Sequence, residues 1–201
     1  NIQTDNIRGV FGLRGKLLDR WDWEVAAQRA RSESEQTGSR SQGWVRTDYL
    51  QQEINAGRYN PFGGTFNAQS TIDAITTSLV RQGTSNLTAY DAQISGELFD
   101  LPAGKVAMAT GIEYREEDVS DVPDEQFQRG LIFGTEAVSA EASRDNWSAF
   151  VEFSVPVVES LEVNVAARYD DYSDFGDTFN PKISARWEPL EPLAFRTSWG
   201  T

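Results

Sequence analysis

From Asp145 to Trp199, apolar and polar residues alternate in four successive segments. In the first, Trp147, Ala149, Val151, Phe153 and Val155 oppose Ser148, Phe150, Glu152 and Ser154. In the second, Leu161, Val163, Val165, Ala167 and Tyr169 oppose Glu162, Asn164, Ala166, Arg168 and Asp170. The third sets Ile183, Ala185 and Trp187 against Lys182, Ser184 and Arg186, and the fourth Leu193, Phe195, Thr197 and Trp199 against Ala194, Arg196 and Ser198. A period of two is that of a β-strand, whose side chains point alternately to its two faces. Four upstream segments share it: Gly9 to Leu17, Trp21 to Gln28, Tyr90 to Leu98 and Lys105 to Arg115. The pattern predicts eight strands.

The connections alternate as well. Leu18-Asp19, Asp100 to Gly104, Pro156 to Ser160 and Pro189 to Pro192 are short; 33–83 and 118–142 are long, and Asp171 to Asn180 is intermediate. In an up-and-down antiparallel sheet this gathers the short turns at one end and the long loops at the other, the asymmetry of outer-membrane barrels. Greek-key sandwiches have no reason to sort their loops in this way. Within the first long connection, Thr47 to Ala56 predicts a helix with Asp48 as N-cap and Gly57 as C-cap. Ala68 to Val80 predicts another, with Ile72, Ile75 and Leu79 at helical spacing and Gly83 beyond its end. Asn60-Pro61-Phe62-Gly63-Gly64 is a turn cluster, and the acidic run over 116–128 predicts mobility.

Charge decides what the two faces meet. Arg8, Arg14, Lys16, Asp22, Glu24, Glu97, Glu113, Arg115, Glu152, Glu162, Arg168, Lys182, Arg186 and Arg196 all fall on the polar face. Burying even one ion unpaired costs several kcal/mol, so this face is wet or lined by polar protein. On the other face Trp21, Trp23, Tyr90, Tyr114, Trp147, Tyr169, Trp187 and Trp199 fall near the predicted strand ends, as in the aromatic girdles of membrane barrels. The alternative is a soluble β-rich binding module whose apolar face packs on helices 47–56 and 68–80. Strands of roughly nine to eleven residues, the length that crosses a bilayer when tilted, favour the membrane.

Composition narrows the chemistry. Thirty-one Asp plus Glu against eighteen Lys plus Arg argues against nucleic-acid binding. The chain has no Cys and no His. It therefore has no disulfide, thiolate site or Ser-His-Asp scheme, and no cofactor is expected. Asp170, Asp171, Asp174 and Asp177 have enough oxygens to suggest Ca²⁺, yet they lack the EF-hand spacing and its bidentate Glu; a solvated loop is the simpler account, as it is for the acid run over 116–125. Glu113 and Glu152 suggest a hydrolytic carboxylate pair, but charges on a wet strand face are ordinary. Gly12, Gly96 and Gly111 are too scattered for a phosphate loop. Arg115, Arg168, Arg186 and Arg196 suit either an anionic ligand or cross-strand pairing with Glu113, Glu152 and Glu162, and pairing is favoured.

Phe99-Asp100-Leu101-Pro102-Ala103-Gly104, Gly111-Ile112-Glu113-Tyr114-Arg115, Ala166 to Gly176, Asn180 to Trp187 and Phe195 to Thr201 together resemble the barrel of TonB-dependent outer-membrane receptors, strongly over 84–201 and more weakly over 1–83. The resemblance implies a mainly all-β fold: about eight strands of an antiparallel up-and-down meander within a 22-stranded transmembrane β-barrel. Residues 1–201 would then be one partial barrel domain, with 33–83 and 118–142 as long extracellular loops. It further implies a Gram-negative outer-membrane location and TonB-energised uptake of an iron-siderophore, cobalamin, haem or an oligosaccharide. Its partners would be outer-membrane lipid, the receptor's own plug domain, the TonB complex and an extracellular small-molecule ligand. Glu113, Arg115, Glu152, Glu162, Arg168, Lys182, Arg186 and Arg196 would face the lumen, and the eight aromatics the lipid. The opening Asn1-Ile2-Gln3-Thr4 and a strand pattern still running at Ser198 to Thr201 predict an internal piece of a longer protein, not a transporter by itself. Open sheet edges and one apolar face predict that the piece self-associates in isolation.

Overall fold

Eight antiparallel strands form one sheet in strict chain order. They are β1 (Ile2–Leu17), β2 (Trp21–Gly38), β3 (Leu79–Leu101), β4 (Gly104–Val122), β5 (Ala140–Val158), β6 (Leu161–Tyr172), β7 (Gly176–Leu190) and β8 (Leu193–Gly200). The computed structural model describes residues 1–63 and 66–201; Gly64, the last residue of the predicted turn cluster, lies outside the described residues. A 3₁₀ turn (Arg40–Gln42) and the helices α1 (Thr47–Asn55), α2 (Gln69–Ile75) and α3 (Glu125–Gln128) occupy the two long connections.

The strand count matches the alternation, but the strands run further than the alternation does. β3 extends over 23 residues and β4 over 19. Past the apolar band, both faces of these strands are polar. The alternation then disappears although the backbone ladder continues. Glu116 to Val122, expected to be mobile, is therefore strand, and the long connections shorten to 39–78 and 123–139. The intermediate connection over 171–180 is a turn over 173–175: Tyr172 pairs with Gly176, Asp171 with Asp177 and Tyr169 with Phe179. Gly176, at φ +95, supplies a backbone conformation that side chains disfavour. At the opposite end, Leu18 and Asp19 both have positive φ, 54 and 58. That is the twist a tight hairpin demands, met here without glycine.

By contacts the chain divides into two units. One comprises Asn1–Ile7, Arg31–Asn86 and Asp118–Ala142; the other comprises Arg8–Ala30, Leu87–Glu117 and Ser143–Thr201. The first is a loop assembly. Its core is Ile75, Leu79 and Ile132, each at most 3% exposed, with buried Thr71 and Thr76. Backbone bonds stitch the connections together: Arg46 N–H to Ile75 O at 2.8 Å, Thr77 N–H to Trp44 O at 2.8 Å, Thr47 N–H to Leu131 O at 2.9 Å and Phe133 N–H to Val45 O at 2.8 Å. Helix α2 stops at Ile75 instead of Val80. Thr76 and Thr77 are β-branched, poor helix formers, and Thr76 bridges Val45. Leu79, predicted on the helix, opens β3. Helix α1 has Arg46 rather than Asp48 as N-cap, while Gly57, at φ +69, donates to Ile54 O.

The second unit is the alternating sheet, and its burial is inverted. Asn146, Ser148 and Asp170 are 7%, 4% and 6% exposed, whereas Trp147, Ile183 and Trp199 are 55%, 46% and 63% exposed. Most of the large apolar side chains of this unit are exposed, with Val106, 4% exposed, as the buried exception. Register keeps the faces matched: Ser148 opposes Asp170 and Ser154 opposes Asn164, while Val151 opposes Ala167 and Phe153 opposes Val165. Pro156 is tolerated in β5 because the register shifts there, between Pro156 and Val158.

Candidate functional site

The polar face of the sheet unit carries one buried network. Ser148 Oγ donates to Asp170 Oδ1 at 2.6 Å and lies 2.9 Å from Asn146 Oδ1; Arg168 Nε donates to the same carboxylate at 2.9 Å. Nearby, Arg115 pairs with Glu113 at 2.7 Å. Glu113, Arg115, Ser148, Arg168 and the Phe150 ring line a cavity of about 340 Å³ that also takes in Gln28, Asp91 and Gln93. Phe150 is an aromatic ring on an otherwise polar face. A Cβ on Gly111 of β4 would lie 2.6 Å from the ring.

The predicted polar-face residues share that face, but they pair differently than expected. Arg115 bonds Glu113, Arg168 bonds Asp170, and Arg186 bonds Glu188 at 2.6 Å. Each pair is two residues apart on one strand, not across strands. Two positions along a strand restore the same face at a spacing that a long guanidinium side chain reaches. Register explains Arg186, which has Glu162 on one side and the like-charged Arg196 on the other and turns along its own strand to Glu188. Glu162 instead accepts from Asn164 Nδ2 at 3.2 Å. Glu152 opposes Ala166, and Lys182 opposes Ala166 and Gly200.

On the apolar face, Tyr90 stacks on Tyr114 at 6.5 Å, Tyr114 meets Trp147 at 4.6 Å, and Trp187 stacks on Phe195 at 5.6 Å. Tyr90 and Tyr114 are mid-strand, because their strands continue past them. Tyr169 and Trp199 stand exposed. Trp21 and Trp23 are half-buried, lying over Gly96 and Gly15. The four aspartates suggested for Ca²⁺ do not converge. Asp170 is bonded to Ser148 and Arg168, Asp171 and Asp177 are ladder partners, and Asp174 lies 3.9 Å from Arg144. Among the described residues no group of acidic side chains is arranged to hold a metal ion.

The loop assembly contributes residues that no sequence motif singled out. Arg46 makes a two-toothed bond to Asp48, reaches Gln126 Oε1 at 3.4 Å and lies over the Tyr49 ring at 4.2 Å. Asp124 caps α3 by accepting from Gln126 N–H, and also accepts from Val80 N–H, both at 2.9 Å. Partial burial opposes its charge, but these backbone bonds prevail and hold its carboxyl below the usual aspartate range. Arg58 grips Glu53 with two bonds of 2.6 Å and holds that carboxyl low as well. Trp44 and Phe127, one from each long connection, meet edge to face at 5.7 Å. Asp124 ahead of a short helix had a readable cap signature; Arg46 and Trp44 had none.

A family described as TonB dependent receptor-like, beta-barrel, matches residues 1–201. No curated protein matches the sequence. Among solved structures, the RagAB peptide transporter is similar at 10% identity and a TM-score of 0.60, over 100% of this chain and 23% of that one. The siderophore receptor PirA from Acinetobacter baumannii is similar at 14% identity and a TM-score of 0.57, over 97% of this chain and 25% of that one. At these identities the likeness is one of fold, and this chain spans about a quarter of either length.

Proposed function

Because the chain belongs to the TonB-dependent receptor β-barrel family, whose members are outer-membrane receptors and transporters of Gram-negative bacteria, we propose that it supplies part of the wall and outer loops of an active importer of a scarce nutrient. Energy would come through the TonB complex. The single observation that carries this reading is the inverted burial: Trp147, Ile183 and Trp199 stand exposed while Asn146, Ser148 and Asp170 are buried. In water that arrangement wastes the burial of large apolar side chains, worth about 1.5–3 kcal/mol each. In a bilayer it is the stable one. The aromatic row then meets lipid, with Tyr90, Tyr114, Trp147 and Tyr169 in one girdle. Glu113, Arg115, Glu152, Glu162, Arg168, Lys182, Arg186 and Arg196 face the lumen and the plug domain. Residues 39–78 and 123–139 lie outside the cell and meet the solute. The fold itself does not choose among iron-siderophore, cobalamin, haem, peptide or oligosaccharide as cargo.

Residues 1–201 contain no cysteine, so no thiol of this stretch competes with an introduced one. Single cysteines are placed in the full-length receptor in intact cells. Val165→Cys and Ile183→Cys should react with a lipid-soluble maleimide and resist a water-soluble one. Ser184→Cys should show the reverse, and Ser70→Cys should label from outside. Equal reaction of both strand faces with the water-soluble reagent would end the wall assignment.

A further inference from the structure

Among the cavities of the loop assembly is one of about 190 Å³. Trp44, Phe127 and Leu79 give it apolar walls, and Gln36, Thr37 and Gln42 give it a rim of uncharged polar groups. We propose that it is a subsite for one uncharged, hydroxylated ring, so that the imported solute is a neutral saccharide; this rests on the importer reading above.

Charge comes first. The loop assembly carries twelve Asp plus Glu against six Arg, and no Lys. Five of those arginines are already engaged: Arg31 with Glu33, Arg46 with Asp48, Arg58 with Glu53, Arg81 with Asp121 and Arg129 with Glu125. The sixth, Arg40, has no carboxylate partner among the described residues. Recognition of an anionic chelate or phosphate wants free guanidinium groups in a positive field. This surface offers one such group, on Arg40, which does not line the cavity, and its excess of carboxylates repels an anion. Arg81 does line the cavity, but Asp121 holds it in a two-toothed pair.

The walls come second. A sugar ring presents C–H groups on its faces and hydroxyls at its edge. Aromatic side chains suit the first, and side-chain amides, which both donate and accept, suit the second. The Gln36 side chain makes no hydrogen bond among the described residues. The Trp44 indole N–H has only a long contact to Gln42 Oε1, 3.4 Å, beyond the ordinary range for such a bond. These donors are available to a ligand. The volume is below that of pockets that enclose a whole drug-sized ligand, about 300–1,000 Å³, and so fits one ring of a longer chain. Gly38 is part of the construction, since a Cβ there would lie 2.6 Å from Trp44 Nε1 and push the indole into the cavity.

The test uses full-length receptor in detergent and calorimetric titration with maltohexaose, cellohexaose, xylohexaose, a ferric tricatecholate and the peptide Ala-Phe-Ala. At least one hexasaccharide should bind, with affinity insensitive to salt. Gln36→Ala, which removes no side-chain hydrogen bond among the described residues, should weaken it by about tenfold. Trp44→Ala and Gly38→Ala should abolish it, and Trp44→Phe should largely restore it. Binding of the tricatecholate or the peptide alone, or of none of the probes, overturns the inference. So does hexasaccharide binding that survives both Gln36→Ala and Trp44→Ala. The cysteine-labelling pattern is independent of all these outcomes, so a failed saccharide site and a failed wall assignment give different results.

Discussion

The two units of this chain bury opposite things. In the loop assembly Ile75, Leu79 and Ile132 are sealed, as in any water-soluble domain. In the sheet unit Asn146, Ser148 and Asp170 are sealed, with Val106 as the one apolar exception among the described residues, and indoles stand in the open. One polypeptide thus obeys two solvents. Hydrophobicity is therefore not what makes either unit inside-out or ordinary; the medium each face meets decides it. Alternation reports two-sidedness only, and the direction of burial has to come from charge.

Three experiments put pressure on that contrast. The largest effect belongs to the conventional core. Ile132→Ala should cost about 2–5 kcal/mol, seen as faster amide exchange and proteolysis over 39–78 and 123–139, while the cysteine-labelling pattern of the sheet stays unchanged. Collapse of both together would show that the units are not energetically separate. Next, Ile183→Arg places a charge on the apolar face and should destabilise the receptor in bilayers by about 2–4 kcal/mol, whereas Ser184→Arg, one residue on, should be nearly silent in the same urea titration. Equal effects would erase the distinction between faces. The smallest effect concerns Asp124, whose carboxyl ionises at lower pH folded than unfolded. Its stabilisation is fully present above the ordinary aspartate value, about 3.9, and is lost as pH falls through the lower, folded value. Exchange at the Val80 and Gln126 amides should therefore speed up in acid beyond its intrinsic dependence, and Asp124→Asn should remove that step. An identical acid response in the variant would refute the assignment.

The wall was legible in the sequence because its rule is local: each residue's face follows from its neighbour's, and register then matches Val151 to Ala167 without further information. Strand length was less legible. Beyond the apolar band Asp118 and Asp121 pair as well as any residue, yet their polarity reads as loop. The ion pairs were hidden for a related reason. Of the expected acidic partners only Glu113 is used, by Arg115, while Arg168 and Arg186 turn to Asp170 and Glu188, and the like-charged Arg196 opposite Arg186 is visible only once register is known. The loop assembly was least legible. Trp44 and Phe127 lie on different connections, and no local pattern foretells that backbone bonds at Val45 to Thr47 bring those connections together.

Three glycines lie under aromatic rings of the adjacent strand: Gly15 under Trp23, Gly96 under Trp21 and Gly111 under Phe150. Each ring occupies the space that a Cβ would take. A sheet that shifts by two residues keeps its faces matched, so alternation alone does not forbid the slip. These pairs do, because a shifted ring meets a side chain where it needs a vacancy. They work as the notches of a ratchet, spaced along β1 to β5, and they give a wall whose surface chemistry repeats every two residues one alignment in which it can close.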